Sequence, residues 1–218
     1  GAFKTVNGET NAAQCYEETA VAVLTNDDWA VVCADHTAIQ KAVKDYGADG
    51  NAVVDLLGDV SHDKTTGANG ALEYSITLKL NGYTWTNTNA KANAFQIKNA
   101  GSDNKITKIY GPGQIITPAY SAVTVVGGGL QSENVDLLRS AAGAVVQFNT
   151  TSTAYNDQNW IKNSTLIATG WCVVSFNNSS ATQTGMKVAI ENCVLVSTST
   201  ASNGCMFDRA GTKNTGTV

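Results

Sequence analysis

The chain has 218 residues, of which 43% are hydrophobic and 15% charged, with a formal net charge of −4 and a pI near 5.1. This apolar content is enough for a sizeable core and excludes a disordered chain, while the acidic balance leaves no basic footprint for nucleic acid or an anionic membrane. No segment approaches the roughly 18 consecutive apolar residues of a membrane-spanning helix, so we expect no membrane insertion.

Residues 1–60 differ in pattern from the rest of the chain and are predicted to lead into it. Apolar runs at 21–24 and 29–32 flank a polar turn, which predicts a hairpin-like or coil-like beginning. The apolar run at 53–57 predicts a buried strand. We therefore expect one continuous domain, in which residues 61–218 form the repeating part.

The one convincing helical pattern lies between these strands. Thr37 and Gln40 have the spacing of a capping box, and Gly47 predicts a left-handed stop at the other end. One face of the intervening helix is apolar and contains Ile39, Ala42, Val43 and Tyr46. The pattern predicts a short helix that packs its apolar face on the rest of the fold.

From about residue 73 onward, short apolar segments recur in two interleaved columns. The first column contains 75–78, 105–107, 134–137, 160–163 and 189–192, and the second contains 95–97, 123–125, 146–148, 174–176 and 205–207. Segments of one column follow each other at roughly 23 to 31 residues, a repeat length typical of stacked architectures. Because coils stacked about 4.8 Å apart can pair their backbones and bury aligned residues, the pattern predicts an all-β parallel solenoid with an N-terminal capping helix.

Asparagines follow several segments of the second column. Asn99, Asn149 and Asn177 come one or two residues after the last apolar residue of their segments. Asparagine tolerates the left-handed backbone conformation that a sharp corner requires. We therefore interpret these three residues as corners of the solenoid.

Three motifs near the start of the chain resemble a known family. The segments 36–43, 53–60 and 75–85 resemble the opening of right-handed parallel β-helix domains of the pectate-lyase-like superfamily, which occur in secreted and surface-anchored bacterial proteins. The resemblance covers residues 36–115 by motif and the remainder by repeat length. It implies a right-handed parallel β-helix and an extracellular or bacterial cell-surface location. Lys79 replaces the Asp that is common in this family, at a position that alternation places outside.

Catalysis on this fold would require clustered carboxylates or paired acids on neighbouring coils. Asp136 and Glu191 share the first predicted column two coils apart, which predicts a separation of about 10 Å between them. This distance is near the upper limit for an inverting pair and too long for a retaining pair. We assign no catalytic residue, and Asp136 and Glu191 are the sole candidates.

Metal and thiol chemistry find little support in the sequence. His36 and His62 have no second ligand at metal spacing and are interpreted as solvated loop residues, so we expect no metal or other cofactor. Five cysteines, an odd number, lack CxxC spacing: Cys15, Cys33, Cys172, Cys193 and Cys205. We interpret them as buried thiols, with a bridge between Cys15 and Cys33 as an open alternative.

Aromatic side chains are the candidates for ligand binding, because flat rings stack on the faces of sugars. Tyr83 and Trp85 alternate along one segment, and Tyr110 and Trp160 lie in or near other predicted strands. If they share an outer face they form a stacking platform for a polysaccharide or host glycan. The alternative is that they pack against loops or inside the coil.

Three functional hypotheses follow. The resemblance and the missing catalytic set favour a non-catalytic extracellular module, either an adhesin-like recognition surface or a stalk, with glycan as its partner. The first alternative is a self-assembling structural subunit of an extracellular filament or layer, because an unpaired end coil invites pairing with another copy. The second alternative is a polysaccharide lyase or glycoside hydrolase with an unrecognised site.

Overall fold

The computed structural model describes residues 2–4, 20–27, 29–64, 70–98, 105–149, 157–177, 186–200 and 204–210. The N-terminal strands are β1 (Ala2–Lys4), β2 (Ala22–Asn26) and β3 (Trp29–Cys33), followed by helix α1 (His36–Tyr46). Next come β4 (Val53–Leu56), β5 (Val60–His62), β6 (Thr77–Lys79), β7 (Thr84–Asn87), β8 (Phe95–Ile97), β9 (Ile106–Tyr110), β10 (Gln114–Thr117), β11 (Val123–Val125) and β12 (Gly129–Glu133). The last strands are β13 (Leu137–Ser140), β14 (Val146–Phe148), β15 (Asn159–Lys162), β16 (Thr165–Ala168), β17 (Cys172–Asn177), β18 (Val188–Glu191), β19 (Val194–Ser197) and β20 (Cys205–Ala210).

Within the described ranges the strands form three sheets. The nine-stranded sheet has the order β1-β3-β2-β4-β6-β9-β12-β15-β18, the six-stranded sheet β5-β7-β10-β13-β16-β19, and the five-stranded sheet β8-β11-β14-β17-β20. From β6 onward the chain visits the nine-, six- and five-stranded sheets in turn, so each coil adds one strand to each sheet. The pairs β1–β3, β2–β3 and β2–β4 at the N-terminal end are antiparallel, and all pairs that β4 and the later strands form with one another are parallel. The fold is therefore all-β with stacked parallel strands in a solenoid-like arrangement.

The prediction of two columns is wrong, because the structure has three. The six-stranded sheet supplies the third column, and its strands follow those of the nine-stranded sheet after links of two to four residues. Links this short contain at most two Asn, Asp or Ser residues, too few to show in the sequence pattern as a turn between strands. Two successive strands are therefore predicted as one segment.

Two predicted segments are also placed differently. The strand of the nine-stranded sheet in the third predicted coil is β12 rather than 134–137, because Gln131 pairs with Trp160. β12 begins with a glycine and so lacks the apolar signal that drew the prediction to the following residues. In the last coil, Val174 lies opposite Phe207, two residues out of register with the predicted alignment. The second column otherwise has the predicted pairing from β8 through β17.

Left-handed asparagines lie at one corner of each of four coils, in the link between the nine- and six-stranded sheets. Their φ values are 52° for Asn81, 58° for Asn134, 49° for Asn163 and 52° for Asn192. We name these four residues the asparagine corner. The prediction for Asn149 and Asn177 is wrong, since neither has a positive φ, and Asn99 lies outside the described residues.

The left-handed corner gives a direct test at an exposed site. Replacing Asn163 with alanine should lower the free energy of unfolding by about 1 kcal/mol, because alanine is strained at positive φ and cannot donate to Glu133 Oε1. Asn163→Gly should cost less, because glycine adopts this conformation without strain. Urea unfolding of both variants checks the order, and an alanine variant as stable as the glycine variant would contradict it.

Helix α1 covers the N-terminal end of the core. Its N-cap is Asp35, whose carboxylate accepts from Ala38 N at 2.7 Å, so the predicted capping box at Thr37 begins two residues too late. Gly47 ends the helix with φ −102°, which is not left-handed. The buried Ile39 and Val43 join the same core as the strands, as the apolar helical face predicts.

The opposite end of the stack exposes apolar side chains. Val194 is 57% exposed and Phe207 is 44% exposed, although Phe207 occupies the inward column that Val174 fills one coil earlier. Association of two copies through this end stays a prediction. Within the part of the chain that the structure covers, no helix has the length and apolar character to span a bilayer.

A candidate recognition surface on the nine-stranded sheet

The nine-stranded sheet has one buried and one outward face, because successive residues of a strand point to opposite sides. Leu78, Ile109 and Ile161 are fully buried on the inner face. The residues on either side of these positions form two outward columns, named here after their aromatic members. The Trp160 column contains Val53, Thr77, Lys108, Gln131, Trp160 and Ala189. The Tyr110 column contains Asp55, Lys79, Tyr110, Glu133, Lys162 and Glu191.

The Tyr110 column alternates in charge along the stack. Lys79 Nζ lies 3.4 Å from Asp55 Oδ1, and Lys162 Nζ lies 3.1 Å from Glu191 Oε2. Each pair is partly exposed to solvent and contributes little to stability. Tyr110 lies between the positive Lys79 and the negative Glu133 in this column, so its ring has a charged neighbour on each side.

Trp160 lies in the neighbouring column. Its indole ring is half-buried, and the ammonium group of Lys162 lies 5.2 Å from the ring centroid, within the range of a cation–π contact. Two strand spacings and a two-residue offset separate it from Tyr110, a distance on the order of 12 Å. The two rings therefore lie on one face, as far apart as the ends of a short oligosaccharide.

Trp85 does not belong to this surface, and the prediction of a binding role for it is wrong. The side chain is fully buried, and its Nε1 donates to Ala94 O at 2.8 Å. Its ring meets those of Phe95 and His36 edge-on, each at 5.4 Å. Trp85 occupies an inward position of β7, whereas Tyr83 precedes the strand in an exposed turn, so their apparent alternation crosses an element boundary.

Tyr83 lies at the margin of the candidate surface. It is 36% exposed and belongs to the link between β6 and β7, where its carbonyl accepts from Gln114 N at 3.0 Å. The structure thus brings Tyr110 and Trp160 together and places Tyr83 around the corner from them.

Asp136 and Glu191 do not share a column, contrary to prediction. Asp136 lies in the link between β12 and β13, and its Oδ2 accepts from Gly113 N at 2.8 Å. Glu191 lies on the outer face of β18 and pairs with Lys162. The physical reason is the displaced segment at 134–137, which consists of the link after β12 and the first residue of β13 and is not a strand of the nine-stranded sheet. Across the described residues, no group of three or more His, Cys, Asp or Glu side chains could hold a metal ion.

His36 and His62 are buried, so their interpretation as solvated loop residues is wrong. Their rings stack with centroids 4.0 Å apart, and His62 Nε2 lies 2.8 Å from Ala94 O. Burial lowers the pKa of His36 to about 3, with the neighbouring His62 adding to the effect, and burial also lowers the pKa of His62. His36 precedes Ile39 by three residues, a spacing that places it on the apolar face of α1 and could have indicated its burial.

Comparison with known proteins adds no relative. No protein-family model matches the chain, and neither a search of curated proteins nor a search of solved structures returns a significant match.

Proposed function

We propose that this chain is a non-catalytic recognition module, a right-handed parallel β-helix of the pectate-lyase-like type from a secreted or surface-anchored bacterial protein. Its ligand is an extended polysaccharide or host glycan that lies across the outer face of the nine-stranded sheet. The observation that carries the proposal is the placement of Tyr110 and Trp160 on that one face, among paired charges.

The chemistry of this face suits a carbohydrate. Aromatic rings offer flat apolar surfaces, and the Gln131 amide and Glu133 carboxylate offer planar hydrogen-bonding groups between the rings. Strands follow at a regular spacing of about 4.8 Å, so the surface repeats its geometry along the stack. A polysaccharide, whose sugar units also repeat, can therefore make similar contacts on successive strands.

Two contacts support a module without catalysis. The Asp136 carboxylate is engaged by a backbone amide, and the Glu191 carboxylate is engaged by a lysine. The two groups belong to different parts of the coil, so they do not form an acid–base pair across one ligand position. The surface location and the handedness rest on the resemblance of the opening motifs.

Binding is tested on an array of neutral and acidic plant, microbial and host polysaccharides, followed by calorimetric titration of any ligand that binds. Tyr110→Ala and Trp160→Ala should each weaken binding about tenfold or more, because a buried aromatic contact contributes more than 1 kcal/mol at a binding site.

Tyr120→Ala is the matched control. This tyrosine is 52% exposed but lies in the link between β10 and β11, away from the nine-stranded sheet, so its removal should leave the affinity unchanged. A blank array would contradict the proposal. An equal loss of affinity in the Tyr120 variant would also contradict it.

A further inference from the structure

Two cysteines face each other across the last pair of strands in the five-stranded sheet. Cys172 of β17 lies directly opposite Cys205 of β20 in the parallel register. Both occupy the inward column, since Cys172 alternates with the buried Val174 and Cys205 alternates with Phe207, the partner of Val174.

This geometry is close to that of a disulfide. Directly opposite residues on neighbouring strands have Cα atoms about 4.8 Å apart, within the range of roughly 4.4–6.8 Å that disulfides span. Both Cβ atoms point to the same side of the sheet. Closing the bond therefore needs a side-chain adjustment and no rearrangement of the strands.

The other described cysteines lack such a partner. Cys33 lies opposite Ala22 in the N-terminal hairpin. Cys193 lies in the link between β18 and β19, where its thiol contacts the backbone oxygens of Ile161 and Glu191 at 3.4 and 3.3 Å. Among the described cysteines, the strand register therefore places one pair, Cys172 and Cys205, directly opposite each other.

We propose that Cys172 and Cys205 form a redox modification site, in which a disulfide fastens the last strand of the five-stranded sheet to its neighbour. This inference is independent of the proposed glycan binding. β20 has β17 as its one partner within the described sheet, and its Met206 and Phe207 are 39% and 44% exposed. A covalent link at its first residue holds the strand where the stack gives it least support.

The oxidant in this proposal is a low-molecular-weight disulfide. Cys205 is partly exposed and loses its proton first. Its thiolate attacks one sulfur of the oxidant and forms a mixed disulfide with it, while the other sulfur of the oxidant leaves as a small thiolate and takes up a proton. Cys172 then loses its proton and attacks the Cys205 sulfur of the mixed disulfide, releasing the second small thiol. Two protein thiols and one small disulfide become one protein disulfide and two small thiols.

The surroundings of the thiols make the reaction slow at neutral pH. Burial raises the pKa of Cys205, and the negative charge of Asp208 raises it further. Burial likewise raises the pKa of Cys172. Because the thiolate is the attacking species, the rate should rise with pH and should rise several-fold in an Asp208→Asn variant at constant pH.

The test uses the folded full chain, incubated with oxidised glutathione at mildly alkaline pH, alkylated, and mapped by mass spectrometry without reduction. Trypsin releases Cys172 in the peptide 163–187 and releases Cys193 and Cys205 together in the peptide 188–209. We expect these two peptides to become joined, with a loss of two alkylatable thiols. A folded Cys193→Ser variant should still form the link, which identifies Cys205 as the partner.

Cys172→Ser and Cys205→Ser should each abolish the joined peptide while circular dichroism shows the native fold. Three results would overturn the proposal: full alkylation of both thiols after oxidation, a stable glutathione adduct on Cys205 without a link, or loss of the link in the Cys193→Ser variant.

Discussion

Replacing Trp85 with alanine should lower the free energy of unfolding by about 3–5 kcal/mol, the cost of removing a large buried aromatic side chain from a packed core. The indole is fully buried, contacts Phe95 and His36 edge-on, and donates to Ala94 O. The indole lies where β7 of the six-stranded sheet, β8 of the five-stranded sheet and helix α1 meet, so its removal leaves a cavity among three elements of the fold.

Urea unfolding followed by circular dichroism measures this effect, and Trp85→Phe is its matched control. Phenylalanine keeps most of the ring packing and loses the indole donor, but Ala94 O also lies 2.8 Å from His62 Nε2, so the carbonyl keeps a partner. The phenylalanine variant should lose about 1–2 kcal/mol. Equal stability of the alanine and phenylalanine variants would contradict the buried position of Trp85.

Acidification should destabilise the fold through its buried histidine pair. The folded-state pKa of His36 is about 3, below the ordinary value of 6.5, so between these values the unfolded chain binds a proton that the folded chain does not. The stability that His36 contributes is thus complete above about pH 6.5 and is lost as the pH falls toward 3. Between about pH 7.5 and about pH 5 the loss from this residue should be about 2 kcal/mol. The lowered pKa of His62 acts in the same direction.

A control variant for the pH effect should remove the titrating group of His36 and leave the charged residues near both histidines unchanged. Lys64 disfavours protonation of both histidines, and Asp63 partly offsets it for His62. His36→Phe keeps a flat ring against His62 and removes the titrating group, while these neighbours and all carboxylates stay the same. The variant should show about 2 kcal/mol less pH dependence over this interval than the native chain. Identical pH dependence of the two proteins would show that His36 is protonated without cost in the folded state.

Alternation within single strands could be read from the sequence. Ile76, Leu78 and Leu80 are all buried, as their period-2 spacing predicts, and the N-terminal hairpin and capping helix are where the apolar patterns place them. The third column could not be predicted this way, because a link as short as 163–164 is too brief to mark the boundary between two strands in the sequence. Glycine at the start of β12 removed a further signal.

Register between coils was the less predictable quantity, and the candidate surface depends on it. Tyr110 and Trp160 could each be predicted to be aromatic candidates, but the coil lengths between them vary, so their columns follow only from the strand pairing. The prediction for Trp85 failed for a different reason, the position of a strand end. Its spacing from Tyr83 suggested that both rings share one face, but Tyr83 lies in the turn before β7 and Trp85 points inward from that strand.

The links of two to four residues between the nine- and six-stranded sheets contrast with those that return the chain from the five-stranded sheet. The return link is as short as 126–128 in one coil and as long as 149–158 and 178–187 in others. The length of the return link thus varies most from coil to coil, whereas the links that contain the asparagine corner stay short. Strand spacing in the three sheets does not depend on the length of the return link. Loops of new sequence can therefore be inserted in that link without displacing the outward face of the nine-stranded sheet.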